Sequence, residues 1–263
     1  MEKKILIEKA SLKSLLKTLN VPDRDRLLKN VKYFSEKEAQ KRAEIVKSYF
    51  SSKGLEIIVD TFANTFSSLP SDFNILDVGS GTGFFTQRVM EKLNKSFGKA
   101  PIFWALDITP GMLLVLSTNV KDSSIIPILG LGEKIKESLI FNSSRYIQMG
   151  IDIPMKFQGI MSVLALHHCA DPEKVFTSMD SVLAEDGLVA IVDECKHPFE
   201  EYRDEMLDIH LGFDIEELHS KASKVFKDVQ ANKLRGVICE SSGRKVEMFA
   251  LTARRKDKFF LIP

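Results

Sequence analysis

Three glycines at every second position follow a short apolar run that contains an acid. The stretch is NILDVGSGTGFFT at 74–86, with the acid at Asp77 and the glycines at Gly79, Gly81 and Gly83. Because glycine lacks a β-carbon, such a loop turns tightly and lets a ligand approach its backbone. A dinucleotide-binding loop has the spacing GxGxxG and turns a helix N-terminus toward a pyrophosphate. The GxGxG spacing and the preceding acid, which would repel phosphate, instead favour a cationic ligand.

Two further groups of polar residues directly follow apolar runs. Asp107 follows IFWAL at 102–106, and His167 and His168 come shortly after QGIMSVL at 158–164. In open parallel sheets, ligands bind beyond the carboxyl ends of the strands. Neutral histidine is the side chain best matched to accepting a proton near pH 7. The alternative for these histidines is a structural role, in which they hydrogen-bond a loop carbonyl.

A third group lies in the segment DECKHPFEEYRDEMLDIHLGFD at 193–214. His197, Glu200, Arg203 and Asp208 have spacings that would bring several of them to one side of a helix. A charged, solvated helix face explains the same spacing equally well. His197 and His210 lack an adjacent ligand pair at a recognised metal-binding spacing. The sequence therefore predicts no bound metal.

Alternating strands and helices are predicted to hold these residues in place. The strands are expected at 74–78, 102–106, 145–149, 158–164 and 187–193, and helices near 83–95, 110–120, 172–184 and 199–208. Such alternation predicts a parallel sheet with helices on both faces. Two last strands, joined by a tight Ser-Gly-Arg turn at 242–244, are expected to add an antiparallel hairpin at one edge.

The first seventy residues have a different pattern. Leu12, Leu15, Leu16 and Leu19 recur at helical spacing. We therefore expect a helical cap or extension over 1–70, whose helices cover the ligand pocket, and a ligand-binding domain over 71–263. The stretch 122–144 is longer than a minimal connection requires and is predicted to contain an extra packed helix, with a lid or substrate wall as the alternative.

Composition limits the class of protein. The chain has 263 residues, 44% of them hydrophobic and 28% charged, with a net charge of +1, as in ordinary globular proteins. Three scattered cysteines are too few for a disulfide framework or a zinc site. No apolar run is long enough to span a membrane, and the start does not resemble a signal peptide. We expect a cytoplasmic protein; no oligomeric state follows from the sequence.

Four motifs together resemble the class I S-adenosylmethionine-dependent methyltransferases. They are DVGSGTGFF, WALDITPGML, LALHHCADP and SVLAEDGLVAIVDE, in this order within roughly residues 70–255. The resemblance implies a doubly wound, mostly parallel, seven-stranded Rossmann-like sheet and S-adenosylmethionine as co-substrate. It also implies that Asp107 binds the ribose hydroxyls. The implied cofactor-binding set is Asp77, Gly79, Ser80, Gly81, Thr82, Gly83, Asp107, Ile108, Met112, Ile151, Asp152 and Leu164.

The third strand departs from the family pattern. The family commonly has an acid after this strand that binds the adenine amine, and here the stretch is MGIDIPM at 149–155. Gly150 stands where the acid would fall, and Asp152 is displaced by two positions. Either Asp152, beside Ile151, takes the role through a shortened loop, or backbone groups do; Asp152 is favoured.

The resemblance leads to a leading hypothesis of methyl transfer to a small molecule. If the acceptor is a hydroxyl or an amine, His167 or His168 is expected to assist by removing its proton. The pattern HxxExxR…D…LGFD resembles a subgroup of small-molecule methyltransferases, some of them fused to ArsR-like repressors. On that resemblance, His197 and Arg203 are expected to shape the acceptor pocket.

Two other functions stay open at this stage. The fold could serve a non-catalytic protein that binds S-adenosylmethionine as a sensor or interaction module. A methyltransferase acting on RNA or protein could instead dock its partner through residues 1–53, which carry fourteen Lys and Arg against seven Asp and Glu. Enzymes that methylate base or glutamine amides usually carry an Asn/Asp-Pro-Pro-aromatic motif where this chain has LALHHC. A nucleic-acid partner is therefore not expected.

Overall fold

The computed structural model describes residues 7, 11–21, 24–34, 36–120 and 124–257. Within these residues, seven strands form one sheet in the order β3-β2-β1-β4-β5-β7-β6. Strands β1 to β5 pair in parallel, whereas β7 is antiparallel to both β5 and β6. The strands are β1 Asn74–Val78, β2 Ile102–Asp107, β3 Ile125–Leu129, β4 Phe157–Val163, β5 Leu183–Glu194, β6 Phe226–Ser241 and β7 Arg244–Arg255. The doubly wound, mostly parallel sheet and its C-terminal hairpin are thus confirmed.

Helices precede the sheet and connect its strands. The helices are α1 Leu12–Thr18, α2 Arg24–Tyr33, α3 Glu36–Ser48, α4 Ser52–Phe66, α5 Phe84–Phe97, α6 Pro110–Asn119, α7 Ile135–Ile147, α8 Pro172–Val182, α9 Tyr202–Glu205 and α10 Ile215–Val225. Short 3₁₀ turns occupy Gly132–Lys134 and Leu166–His168. None of the described helices combines the length and apolar composition needed to cross a bilayer.

The predicted third strand at 145–149 is wrong. Most of that stretch is the last turn of α7, and the third strand is Ile125–Leu129. Tyr146 is buried on α7, and its hydroxyl donates to the Pro127 carbonyl, so the helix packs directly on the strand. Proline has no N–H for a central ladder but is tolerated at a sheet edge, where β3 lies. The stretch 122–144 is therefore no insertion; its described part holds β3 and most of α7.

The predicted helix at 199–208 is also much shorter than expected. Only Tyr202–Glu205 is helical, and the chain then turns at Leu207, whose φ is +61°. The stretch that follows lies against the end of β5, and Gly212 is the residue in closest contact there. Gly212 has φ +65°, and a β-carbon there would lie 2.2 Å from the Cys195 carbonyl oxygen. Helix α10, from Ile215 onward, was not predicted.

The N-terminal helices pack against the sheet domain at three places. Phe62 and Phe66 of α4 are fully buried in the core that also contains Ile75 of β1. Leu15 and Leu19, in and just after α1, are buried against Leu113 of α6 and Leu129 of β3. Ala39 of α3 is buried against Met112 and Val115 of α6. Helices α1 to α3 therefore lie over the carboxyl end of the sheet, where the predicted site is.

Candidate active site

A cavity of about 580 Å³ opens at the carboxyl ends of the parallel strands, beneath the N-terminal helices. Its wall includes ten of the residues predicted from sequence. These are Gly79, Ser80, Gly81, Thr82, Asp107, Ile108, Met112, Leu164, His167 and His168. The loops after β1, β2 and β4 thus meet in one place, as the parallel arrangement requires.

The glycine loop needs glycine for two different reasons. Gly79, Gly81 and Gly83 all have positive φ, between +54° and +78°, a region that costs most residues about 1–2 kcal/mol. In addition, a β-carbon on Gly79 would lie 2.3 Å from the β-carbon of Ala165. The loop after β1 is therefore held directly against the loop after β4, and only a missing side chain allows this contact.

Asp107 holds the glycine loop from the neighbouring strand. One carboxylate oxygen accepts from the Gly81 N–H and the other from the Thr109 N–H, each at 2.8 Å. Burial raises the pKa of Asp107, and these backbone hydrogen bonds oppose the rise. The acid thus fixes the loop and the start of α6 in one geometry at the cavity wall.

Asp77 and Gly83 do not reach the cavity. Asp77 is buried behind the loop, where it accepts from the Thr86 hydroxyl at 2.5 Å. Burial raises the pKa of this carboxyl to about 7. Gly83 precedes the first turn of α5, and a β-carbon there would lie 3.0 Å from Leu116. Both residues therefore support the conformation of the glycine loop from the side that faces away from the cavity.

Ile151 and Asp152 also lie outside the cavity wall. Their placement depended on a third strand at 145–149, whereas the true third strand ends at Leu129. Asp152 is exposed, and Ile151 packs beneath the sheet. The residues that follow β3 at the cavity are Gly130 to Lys134. Sequence reasoning missed them because it misplaced the strand.

Glu133 is the acid on that missed stretch. It lines the cavity and accepts from the Ala170 N–H at 2.8 Å. Burial raises the pKa of this carboxyl. The loops after β3 and β4 are therefore joined by an acid that also faces the cavity.

His167 is buried between two carboxylates. Its Nδ1 lies 2.5 Å from Asp193 and its Nε2 lies 3.7 Å from Asp208. Burial would lower the pKa of His167, but the Asp193 carboxylate more than offsets this and raises the pKa to about 10. His167 is therefore protonated at neutral pH and has no lone pair with which to accept a proton.

His168 is in the opposite state. Burial, followed by the positive charges of His167 and Arg42, lowers the pKa of His168 well below its usual value. Its Nδ1 lies 3.7 Å from the Oδ1 of Asp208. Among the described residues, neither of these two buried atoms has a hydrogen-bond partner. His168 is thus neutral beside an unpartnered carboxylate oxygen.

Asp208 is positioned by the turn that sequence analysis mistook for a helix. Its N–H donates to the Tyr202 carbonyl at 3.2 Å. The next two N–H groups, of Ile209 and His210, both donate to the His167 carbonyl, at 3.1 and 3.0 Å. Burial raises the pKa of Asp208 to about 6, although the charge of His167 opposes the rise.

His197 and Arg203 do not line the cavity, contrary to the prediction for the acceptor pocket. His197 Nδ1 lies 3.3 Å from the Phe199 N–H, and its Nε2 lies 3.2 Å from Glu194. Arg203 is directed outward, pairing with Glu200 at 2.8 Å and donating to the Ile209 carbonyl at 2.7 Å. Arg203 is exposed on the short helix α9, whereas His197 precedes that helix and is buried within 4.8 Å of Glu194 and Asp208, which do line the cavity.

The opposite wall comes from the N-terminal helices, in which sequence analysis had named no individual site residue. Phe34, Arg42 and Tyr49 all line the cavity. The Arg42 guanidinium lies 4.9 Å from the centre of the Phe34 ring, and its NH1 lies 3.4 Å from the Tyr49 hydroxyl. The Phe34 ring in turn packs edge-on against His168, with ring centres 5.6 Å apart.

Among the residues that the structure describes, two sets of side chains are close enough to hold a cation. The sets His167, His168, Asp208 and Glu194, His197, Asp208 each offer three atoms within 4.8 Å of one another. In the second set, His197 Nδ1 accepts from a backbone N–H, so its Nε2 carries the proton and donates to Glu194. That nitrogen has no lone pair for a metal. The first set has the same defect, because the protonated His167 has no lone pair either. In these protonation states, neither set offers a metal three free ligand atoms.

Comparison with known proteins agrees with this geometry. A family model described as a methyltransferase domain matches residues 69–245. No curated protein sequence is similar enough to count as a match.

Many solved structures share the fold at low sequence identity. Phosphoethanolamine N-methyltransferase 2 of Haemonchus contortus, in complex with S-adenosylmethionine, has 15% identity and a TM-score of 0.55 over 78% of this chain and 52% of that one. This chain therefore spans about half the length of that enzyme. A Haloferax volcanii methyltransferase in complex with its Trm112 activator has 10% identity and a TM-score of 0.61, over 83% and 94% of the two chains. N-methyltransferase NodS of Bradyrhizobium japonicum has 12% identity and a TM-score of 0.55, over 79% and 99%.

Proposed function

Because the chain belongs to the methyltransferase-domain family of class I S-adenosylmethionine-dependent enzymes, we propose that it methylates a small molecule. One observation supports the proposal most strongly: the cavity has two halves whose lining residues differ in kind. The donor half consists of Gly79–Thr82, Asp107 and Met112, and the acceptor half of Phe34, His168, Glu194, Tyr202 and Asp208.

The donor half has the features that S-adenosylmethionine requires. Its glycine loop exposes backbone to a ligand, and Asp107 presents carboxylate oxygens at the wall for the ribose hydroxyls. The surrounding acids Asp107 and Glu133 suit a sulfonium cation and would repel a pyrophosphate. Met112 and Ile108 supply apolar surface for the adenine ring.

Methyl transfer from a sulfonium requires little chemical assistance from the protein. A sulfonium methyl is already activated, so the protein mainly aligns the acceptor with the carbon–sulfur bond. Such alignment is worth about 7–11 kcal/mol. The acceptor half lies beside the loop that follows β4 and places His168 and Asp208 opposite the N-terminal helices. Because those helices cover the cavity, a small molecule is the acceptor that fits beneath them.

His168 is the side chain proposed to accept a proton from the acceptor. His167 cannot do so, since it is already protonated between Asp193 and Asp208. His167 instead fixes the loop after β4 through its bond to Asp193 and its carbonyl bonds to Ile209 and His210. The two adjacent histidines thus have different proposed roles, because His167 is protonated and His168 is neutral.

Calorimetry with the purified protein tests the donor assignment. S-adenosylmethionine and S-adenosylhomocysteine should both bind, while NAD should give no heat. NAD binding without a response to either sulfur nucleoside would overturn the proposal.

A further inference from the structure

Three buried carboxylates meet at the end of β5 and the turn beside it. Asp193, Glu194 and Asp208 are 0%, 6% and 5% exposed. Both carboxylate oxygens of Asp193 already have partners: Oδ2 accepts from the Leu166 N–H, and Oδ1 contacts His167 and accepts from the Glu194 N–H. Glu194 and Asp208 both line the cavity. Oδ1 of Asp208 has no hydrogen-bond partner in the described structure.

The positive charge beside this cluster is smaller than its negative charge. In the described part of the chain, no lysine or arginine nitrogen lies within 4.0 Å of any of these carboxylates. His167 supplies one positive charge, and it contacts Asp193 more closely than Asp208. Buried carboxylates are costly unless they are paired. A cation that enters the cavity would balance the remaining negative charge of the cluster.

Aromatic rings surround the same place. Tyr202 and Phe34 line the cavity there, and Phe34 packs edge-on against His168. Ring faces attract organic cations, with a gain of about 0.5–2 kcal/mol. Two guanidinium groups already lie near these rings: Arg42 is stacked on Phe34 and bonded to Tyr49, and Arg244 lies 5.6 Å from the centre of the Tyr202 ring. Arg244 pairs with Glu201 and Glu205, and neither guanidinium is within ion-pair distance of the three carboxylates. The place therefore combines buried acids with aromatic surface, the combination that recognises an amine.

We infer that the acceptor is an amine, whose ammonium group binds between Asp208 and Glu194 beside the Tyr202 and Phe34 rings. The inference rests on the proposed methyl transfer and specifies its substrate class.

Each step of the reaction balances with groups already present. The bound ammonium gives one proton to Nδ1 of His168, and the Asp208 carboxylate 3.7 Å away stabilises the imidazolium that forms. The free amine lone pair then attacks the sulfonium methyl. One nitrogen–carbon bond forms as the carbon–sulfur bond breaks, and its electron pair stays on sulfur. The products are a methylated ammonium, neutral S-adenosylhomocysteine and the protonated His168, which releases its proton to solvent as the products leave.

A matched pair of probes tests cation recognition without knowledge of the natural acceptor. The full chain is saturated with S-adenosylhomocysteine and titrated with 2-phenylethylamine or with its neutral counterpart 2-phenylethanol, followed by ligand-observed NMR. A charge-assisted contact should make the amine bind about tenfold more tightly or better. Asp208→Asn should remove that preference. The control Asp204→Asn, an exposed acid on α9, should keep it.

Several results would overturn the inference. One is equal binding of the two probes to the unaltered protein, and another is an amine preference that survives both Asp208→Asn and Glu194→Gln. A third is a stoichiometric divalent metal in the purified protein that Asp208→Asn removes, because the carboxylates would then serve a metal. Unchanged S-adenosylhomocysteine affinity in each variant shows that the variant is folded.

The charge of the methylated product separates this inference from the proposed function. With methyl-labelled donor and cell extract, the labelled product should be retained on a cation exchanger at pH 7. A neutral or anionic labelled product would overturn the amine inference while leaving methyl transfer intact. Failure to bind the donor would overturn the proposed function itself.

Discussion

The donor and acceptor halves of the cavity are built in opposite ways. The donor half depends on the backbone of one loop, and a single acid, Asp107, fixes it through two N–H groups. The acceptor half depends on side chains from segments far apart in the chain, including Phe34, His168, Glu194 and Asp208. The first arrangement leaves a dense local pattern in the sequence, and the second leaves almost none.

Because of this difference, the two halves should tolerate substitution unequally. Positive φ angles and the close contact between Gly79 and Ala165 leave few substitutions possible in the donor loop. In the acceptor half, each side chain can change without moving the loop that carries it. The predictions below test whether the two halves can be disturbed separately.

The largest effect is expected from Gly79→Ala. The new β-carbon would lie 2.3 Å from Ala165, which costs about 1–3 kcal/mol in overpacking, and the left-handed backbone adds about 1–2 kcal/mol. The loop would relieve this strain by moving, so donor affinity should fall by roughly a hundredfold or more, as measured by calorimetry.

Gly98→Ala is the matched control for the loop substitution. Gly98 also has positive φ, at +61°, but nothing lies within 4 Å of a β-carbon there. It should lose a little stability and no donor affinity. If both variants bound the donor equally well, the contact between the two loops would not matter for binding.

His168→Gln should act on the acceptor half alone. Removing the group that accepts the proton should lower turnover by at least about a hundredfold, with donor affinity unchanged within a few-fold. Initial rates and calorimetry on the same sample give both numbers. Intact turnover would show that His168 only anchors its loop.

The neighbouring substitution His167→Gln sharpens that result. It leaves Asp193 and Asp208 without their charged partner, so it should lower thermal stability more than His168→Gln does. Equal stability loss in the two variants would contradict the division of roles between these histidines.

Asp107→Ala should weaken donor binding by about 2–3 kcal/mol, the scale of charge-assisted hydrogen bonds. The loss would combine the proposed ribose contacts with the N–H bonds that fix Gly81 and Thr109. Asp152→Ala is the control, because Asp152 is exposed and lies away from the cavity. Equal donor affinity in the two variants would remove Asp107 from the donor site.

The smallest effect is a pH dependence confined to the acceptor half. The pKa of Asp208 is raised to about 6, so its carboxylate is ionised above that pH and becomes neutral as the pH falls. Affinity for 2-phenylethylamine should therefore decline by about tenfold per unit below pH 6. Titrations from pH 5 to 8 should show this decline in the unaltered protein and not in Asp208→Asn. A matching decline in that variant would assign the effect to another group.

Sequence analysis could predict the donor half because its determinants are local. The glycine spacing and the acid at the end of β2 were sufficient to place Gly79 to Thr82 and Asp107 on the cavity wall. The third strand was missed because Pro127 interrupts its pattern, and its place at the sheet edge is a tertiary property. With the strand misplaced, Asp152 was chosen in place of the stretch that contains Glu133.

The acceptor half could not be predicted in the same way. Asp208 reaches the cavity because the chain leaves helical geometry at Leu207 and binds back onto the His167 carbonyl. The spacing of His197, Arg203 and Asp208 predicted one helix face instead. Only Arg203 is on the short helix, and His197 and Asp208 approach each other from either side of it. Protonation states likewise depend on burial, which no sequence pattern showed for His167 or His168.

The most direct test follows the methyl group itself. The protein is incubated with cell extract and S-adenosylmethionine carrying a ¹³C methyl, and small molecules are analysed by mass spectrometry. A labelled small molecule that contains nitrogen is expected, formed in equal amount with S-adenosylhomocysteine and strongly reduced with Asp107→Ala at a donor concentration near the dissociation constant of the unaltered protein. Donor binding without any labelled small molecule, or label found only in RNA or protein, would contradict this expectation.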